Sequence, residues 1–421
     1  MKSIIAKSSL VMVALMLCVQ SIVPVALAQQ VVTNPPLNFD KGRYERSVHL
    51  AFSGKVMGYS TVLIRNGQIV SEVAGGQARN AADGNVKMTT TVPANIGSTI
   101  KFVAGIALLQ LFERIARRPG GRSMDASLSL PVYTYFPKVW QEKMHPSIKK
   151  ITFRHLLQHR SGFRGLSAAD FGPDGKKYYF DYLRKGVTDS NFNMRDYENA
   201  NFTIFTYLIP VLNDYTLLDK FNAEVVKNKW DAEAFELHQF MGKEWDKYVT
   251  GSIFPKLTPA INPSCNPPGE FVTRNIVWAY YYKSVSDAGK GGTYDSLAVD
   301  GYCHTAGGWY ISAYDLAAFV ANFSATDTLV SAKTRDLMFD DDNANEMLVW
   351  SFPLANDKAI EDKFKYKVLP YMGGDHKTAH ATILLLPDNY YAVGIVNSDE
   401  MGSGSVSTAL LGAFKRGIGL P

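Results

Sequence analysis

The chain has 421 residues, 46% of them hydrophobic and 20% charged, and a formal net charge of +5. That length fits two average domains or one large composite unit. The charge is too mild to imply nucleic acid as a partner, so basic pairs such as Arg117-Arg118 and Lys149-Lys150 read as solvated surface. The chain opens with Met1-Lys2, a further Lys7, an apolar core from Leu10 to Val19, and Ala26-Leu27-Ala28 before Gln29. This order of charged, apolar and small-x-small segments reads as a secretory signal peptide over residues 1 to 28. The alternative, an uncleaved anchor, has an apolar core short for a span, and no later stretch is long and apolar enough. The expected location is secreted or periplasmic, with no stable membrane span after cleavage. The remaining 421 − 28 = 393 residues carry a net charge of +3, because the leader holds two lysines and no acids. No linker, repeat or low-complexity tract divides residues 29–421, so one composite domain is expected. Cys265 and Cys303 can pair in an oxidising compartment, although two distant cysteines do not establish a bridge.

After a lead-in, Asn38 to Phe52 reads as a first helix with Asn38 as its cap. Tyr59–Ile64 and Gln68–Val73 flank Asn66-Gly67, a strong hairpin signal. Next comes Asn95-Ile96-Gly97-Ser98-Thr99-Ile100-Lys101, leading into Phe102 to Leu109, an apolar run that reads as a buried helix. Ser98 and Lys101 lie three residues apart, on one helical face, where a hydroxyl and an amine can act as nucleophile and base. Taken singly, Ser98 also suits a helix cap, and Ser147-Ile148-Lys149-Lys150 repeats the spacing in a basic connector.

In Ile151 to Phe163, Thr152 can cap a short helix that Ser161-Gly162 ends. His155 and His159, four apart, could pair on a metal, but no further ligand set or Cys-x-x-Cys accompanies them. They read as fixing this turn, and no metal or cofactor is expected. Residues 164 to 260 look mainly helical. Tyr197-Glu198-Asn199 precedes the apolar Phe202–Leu212, and Thr216 to Tyr248 suits a surface helix pair. Pro259 to Pro268 is an irregular loop holding Cys265, and Val277 to Tyr282 reads as core or cleft wall. Ser312, after Gly307-Gly308, is a natural cap with Asp315 in the first turn. Ala381–Leu386 and Tyr391–Val396 flank Pro387-Asp388-Asn389 as a second hairpin, and Ser403–Lys415 closes the chain as a helix.

In this order the motifs resemble the serine β-lactamase and penicillin-binding-protein superfamily, and more closely the class C β-lactamase-related serine hydrolases. Ser98-Thr99-Ile100-Lys101 resembles the nucleophile motif. Ile151–Phe163 resembles the family's Ile-Thr-Ile-Arg-His-Leu-Leu-x-His-x-Ser-Gly-Leu signature, Tyr197-Glu198-Asn199 its Tyr-x-Asn, and Gly307 through Leu316 its Gly-Gly-x-x-Ser-x-x-Asp-Leu helix start. The resemblance implies an α+β, β-lactamase/transpeptidase-like fold. It would have an antiparallel sheet flanked by helices (about 38–110 and 305–420), an all-helical lobe (about 111–304), and the active site between them. It implies Ser98, Lys101 and Tyr197 as catalytic residues and Asn199, with His376, Lys377 and Thr378, as substrate-binding. The family's Lys-Thr-Gly or His-x-Gly motif admits two placements. By lettering it is His376-Lys377-Thr378, and by distance to Pro387 it is Met372-Gly373-Gly374, which lacks a basic group. His304-Thr305-Ala306-Gly307 has similar letters but stands before the Gly-Gly helix start. Ser98 N–H would form half of an oxyanion hole, and an N–H near Thr378 to His380 the other half. The implied partner is a small-molecule or peptide acyl substrate. Hydrolysis of esters, amides or D-amino-acid peptides, β-lactamase or DD-carboxypeptidase activity, and a non-catalytic binding role all fit this pattern.

Overall fold

The computed structural model describes residues 37–165, 179–228, 235–265, 275–280, 292–293, 304–339, 346–354 and 357–421. The leader at 1–28, Cys303 and the end of the 277–282 segment lie outside the described residues. Phe39–Pro421 forms one compact unit.

The first helix, α1, is Lys41–Phe52, and Asp40 rather than Asn38 caps it, its Oδ1 accepting the Arg43 N–H at 2.8 Å. The aspartate carboxylate sits at the cap position itself, three residues before the N–H it accepts. Strands β1 (Gly58–Arg65) and β2 (Gln68–Gly76) form the expected hairpin. Asn66 and Gly67 both have positive φ, +48° and +75°, as a two-residue turn of this kind requires. The turn before the next helix is tighter than a regular helix start. Gly97–Thr99 is a single 3₁₀ turn, and α2 runs from Ile100 to Ala116. Helix α2 is buried almost all round, from Ile100 to Leu109 without a break. A helix apolar on every face belongs inside a body.

The short helix α3, Phe153–Leu157, is capped by Thr152 as expected. Helix α4, Phe205–Asn213, packs against α2. The expected surface pair appears as helices Thr216–Asn228 and Phe235–Ser252. Helix α5, Ala313–Ala325, starts at the Ser312 cap. Four further strands follow: β3 (Phe352–Leu354), β4 (Leu369–His376), β5 (Ala379–Leu386) and β6 (Tyr390–Asn397). Helix α6, Ser403–Gly417, ends the chain.

The six strands form one antiparallel sheet in the order β2-β1-β6-β5-β4-β3. The N-terminal hairpin therefore pairs with the last strand, through Gly58↔Asn397 to Arg65↔Tyr390. Helices α1 and α6 pack on each other beside the sheet, and α5 packs on β1 and β6. One apolar cluster runs from the sheet (Val62, Val393, Ile395) through α2 (Phe102, Leu108, Phe112) to the helical segments (Phe205, Leu208, Trp245). Each such side chain contributes about 1.5–3 kcal/mol on burial. Phe102 meets Phe319, Phe323 and Trp350 edge-on or tilted, which locks the start of α2 in place. This architecture is the α+β, β-lactamase/transpeptidase-like fold.

Candidate active site

The nucleophile turn is held from three sides. Ile96 N–H donates to Trp309 O at 3.0 Å, and Ala94–Asn95 pairs with the short strand Trp309–Ile311. Asn95 Oδ1 accepts the Gly97 N–H at 2.9 Å, and Thr99 Oγ1 donates to Ala381 O on β5 at 3.2 Å. Gly97 has φ +49°, and a Cβ placed on it would lie 2.9 Å from Asp375 N. Only glycine allows both that backbone shape and that close approach. The result places Ser98, partly exposed, at the mouth of a cleft of about 180 Å³.

Lys101, one turn on, is fully buried. Its Nζ lies 2.7 Å from Ser98 Oγ, 2.9 Å from Asn199 Oδ1 and 3.0 Å from Ala306 O. Burial holds its pKa well below the usual lysine value, against the pull of Glu198 in the other direction. The lowering comes from desolvation, and no neighbouring cation is needed. Asn199 Oδ1 and Ala306 O can only accept, so two N–H bonds of the amine go to them whatever its charge. The third position faces Ser98, and once the amine has lost a proton the Ser98 hydroxyl can donate to the freed lone pair.

Tyr197 places its ring face 5.3 Å from Lys101 Nζ. Burial pushes its phenol up to about 12, Asp375 and Glu198 add to that, and a hydrogen bond with Ser98 acts against it. The residue is therefore a protonated phenol near neutrality. Its ring is backed by His159 at 4.6 Å, which stacks in turn on Phe202. His159 is buried and held well below its normal pKa, by burial first and then by Lys101. His155 closes the α3 capping box with Thr152 and packs on Phe192. The two histidines thus have separate structural tasks.

The wall opposite Ser98 is the end of β4. A Cβ on Gly374 would lie 2.0 Å from Ile96 O and 2.6 Å from Thr99 N, so strand and turn touch through bare backbone. This puts Met372-Gly373-Gly374 on the strand beside the nucleophile turn, where the distance-based placement has them. Met372 is fully buried, and no basic side chain stands there. Of the lettered alternative, only His376 lines the cleft. Lys377 occupies the β4–β5 turn with φ +49°. Thr378 is spent on the sheet, donating to Asn397 Oδ1 at 2.8 Å and accepting the Tyr280 N–H at 3.1 Å.

The register also bears on the second oxyanion donor. His376 pairs with Ala379 and Asp375 with His380. In a hairpin closed by a two-residue turn, the closing pair exchanges hydrogen bonds and the next pair does not. The Asp375 N–H therefore points away from β5, and Asp375 N is the atom that Gly97 approaches. The N–H that faces the turn thus belongs to β4, whereas the expectation for a second oxyanion donor fell near Thr378 to His380, at the start of β5.

Thr203, His304, Ala306 and Asp375 also line the cleft; the sequence reading set the His304–Gly307 tetrapeptide aside and singled out neither Thr203 nor Asp375. His304, pushed down to about 4 chiefly by burial, accepts the Ala306 N–H at 3.3 Å and so is a neutral ring here. Its tetrapeptide was visible in the sequence, but only the fold brings Ala306 O to Lys101. Cys265 is disulfide-bonded.

Residues 45–398 match the family model described as Beta-lactamase. No curated protein matches in sequence. The fold is similar to that of FmtA from Staphylococcus aureus, with a TM-score of 0.59 and 15% identity over 89% of this chain and 90% of that one. It is also similar to a class C beta lactamase from Rhodobacter sphaeroides (TM-score 0.56, 15% identity, 87% and 99% covered). A Beta-Lactamase/D-Alanine Carboxypeptidase from Pseudomonas syringae has a TM-score of 0.58 at 12% identity, with 88% and 98% covered.

Proposed function

The chain belongs to the beta-lactamase family of serine acyl-transfer hydrolases, and on that premise we propose that it is an exported serine hydrolase of small esters, amides or D-amino-acid peptides. The observation that carries this reading is the Lys101 amine, buried 2.7 Å from Ser98 Oγ with its two other bonds taken by obligate acceptors. Lys101 takes the Ser98 proton as Oγ attacks the acyl carbonyl. The Ser98 and Asp375 N–H groups receive the oxyanion, an interaction typically worth about 3–4 kcal/mol per donor. Tyr197, protonated and hydrogen-bonded with Ser98, passes a proton to the leaving group. The acyl-enzyme is then hydrolysed by the same groups in reverse.

Met372 in place of a basic residue speaks against strong recognition of a substrate carboxylate, as a β-lactam presents. The test is a p-nitrophenyl ester and a chromogenic cephalosporin, each with wild type and Ser98→Ala. We expect ester turnover above cephalosporin turnover, both lost by at least about 10³-fold in the variant. Turnover that survives Ser98→Ala, or a wild type that neither turns over substrate nor takes up a fluorophosphonate at Ser98, would sink the reading. Export rests on residues 1 to 28 and is tested by the N-terminal sequence of the mature protein, expected to begin at Gln29.

A further inference from the structure

Asp375 differs from the other groups of the cleft in where its side chain is anchored. Its backbone faces the nucleophile turn, while its carboxylate is tied to elements behind the strand. Oδ1 accepts the Ser403 N–H at 2.7 Å and stands 2.7 Å from His380 Nδ1. Oδ2 accepts the Ser403 hydroxyl at 2.8 Å. The other His380 nitrogen, Nε2, lies 2.9 Å from Ser398 O. The ring is thereby held at both nitrogens, between the Asp375 carboxylate and the Ser398 carbonyl. Burial alone would push the Asp375 carboxyl up, but the bonds from His380 and Ser403 outweigh it and hold it below the usual range.

The partner on the far side is the start of α6. The residue at its cap position, Gly402, has no side chain to accept the first N–H groups. Asp375 supplies that acceptor from β4, where the positive end of the helix favours an anion. Gly373 keeps the approach open, since a Cβ there would lie 2.4 Å from Ser403 Oγ. Ser403, Asp375 and His380 are not a second nucleophilic triad. The Ser403 hydroxyl donates to the carboxylate rather than to the imidazole, and Ser403 is buried.

We propose that Asp375 is a positioning residue for the acyl-transfer reaction. Its carboxylate, fixed to α6 and His380, holds its own N–H at the oxyanion position opposite Ser98. The inference rests on the serine-hydrolase reading and adds to it a device that the motif residues do not contain. The strand end is gripped from two sides, by backbone contact with the nucleophile turn and by this carboxylate. Gly373 and Gly374 beside it offer no side chain that could restrain the backbone, so without the grip the N–H can swing.

The experiment compares wild type, Asp375→Ala, Asp375→Asn and Ser403→Ala in the full chain. It measures kcat and KM for a p-nitrophenyl ester, inhibition by a boronic acid that forms a tetrahedral adduct on Ser98, and Tm. Asp375→Ala is expected to lower kcat by about 10²–10³-fold, the usual loss for one oxyanion donor, with KM changed less than about threefold. Boronate affinity should fall in parallel. Asp375→Asn keeps an acceptor for Ser403 N–H and should recover activity to within about tenfold of wild type. Ser403→Ala removes one of the carboxylate's bonds and should fall between the two. If Asp375→Ala does not fold, Ser403→Ala carries the same comparison of kcat with boronate affinity. The proposal is overturned if kcat and boronate affinity stay within about twofold of wild type, if the loss is confined to KM, or if Asp375→Asn recovers Tm but not kcat. A wild type without turnover or fluorophosphonate uptake instead overturns the hydrolase reading on which the proposal stands.

Discussion

At the scale of single residues, the site turns on how three partners divide the bonds of one amine. Because Asn199 Oδ1 and Ala306 O can only accept, the third direction of Lys101 Nζ becomes a base as soon as the amine loses its proton. Burial makes that loss occur well below the usual lysine pKa, so kcat/KM should rise with pH through this lowered value and fall as acid protonates the amine. A pH profile whose ascending limb sits near 10.5 would show that burial does not act as argued. Lys101→Arg should lose at least about 10²-fold in kcat at any pH, because a guanidinium cannot give up its proton. Ser98, Lys101, Tyr197 and Asn199 were legible in the sequence because short spacings carry their chemistry. His304 and Asp375 were not, since their place in the cleft depends on strand register and on a loop folded back onto α2.

Secondary-structure elements were legible where turn chemistry marks them. Asn66-Gly67 and Pro387-Asp388-Asn389 delimit two hairpins, and Ser312 and Thr152 start two helices. Strand β4 was not foreseen as a separate strand. Its last residues, Gly373-Gly374-Asp375, have low strand propensity, and tertiary contact with the nucleophile turn overrides it. The same contact makes the strand intolerant of side chains. Gly374→Ala should cost about 3 kcal/mol in urea unfolding, with activity falling alongside, because the new Cβ meets backbone on two sides. Near the C-terminus of α2, Glu113 ties that helix to the start of the helix Ala332–Leu337, which Ser331 caps. Burial would raise its pKa, but hydrogen bonds from Ser331 and Thr334, with Arg117 nearby, lower it below 4.5 overall. A lowered carboxyl pKa contributes stability above the unfolded value and loses it as pH falls through the folded one. Glu113→Gln should therefore lower Tm near neutrality and flatten its fall between pH 5 and the acid limit, as read by calorimetry.

Across the whole molecule, strands from the two ends of the sequence lie side by side. Strand β1 sits between its hairpin partner β2 and the last strand β6, so the sheet cannot close until the final segment is present. Contacts so far apart in sequence make folding slow and late. Deleting residues after 402 removes α6 and its acceptor Asp375 contact, and should leave no cooperative melt by near-ultraviolet circular dichroism. A truncated chain that still melts cooperatively would mean the sheet is stable without its last helix. The general arrangement was readable from two hairpins placed at opposite ends of a helical middle. The order of strands was not, because pairing between distant segments leaves no local mark.

The Asp40 N–H donates to Gly417 O at 2.8 Å, so the polypeptide leaves its folded body almost where it enters. Order along the chain is then separable from order in space. A few glycines and serines joining 417 to 40 would let new termini be cut at the exposed turn around Gly120, with every strand neighbour kept. Such a circular permutant would begin synthesis with the helical middle and finish with the Ser98 turn and α2. It would deliver both former ends of the sheet in one uninterrupted stretch, turning the slowest pairing of the native chain into a local one.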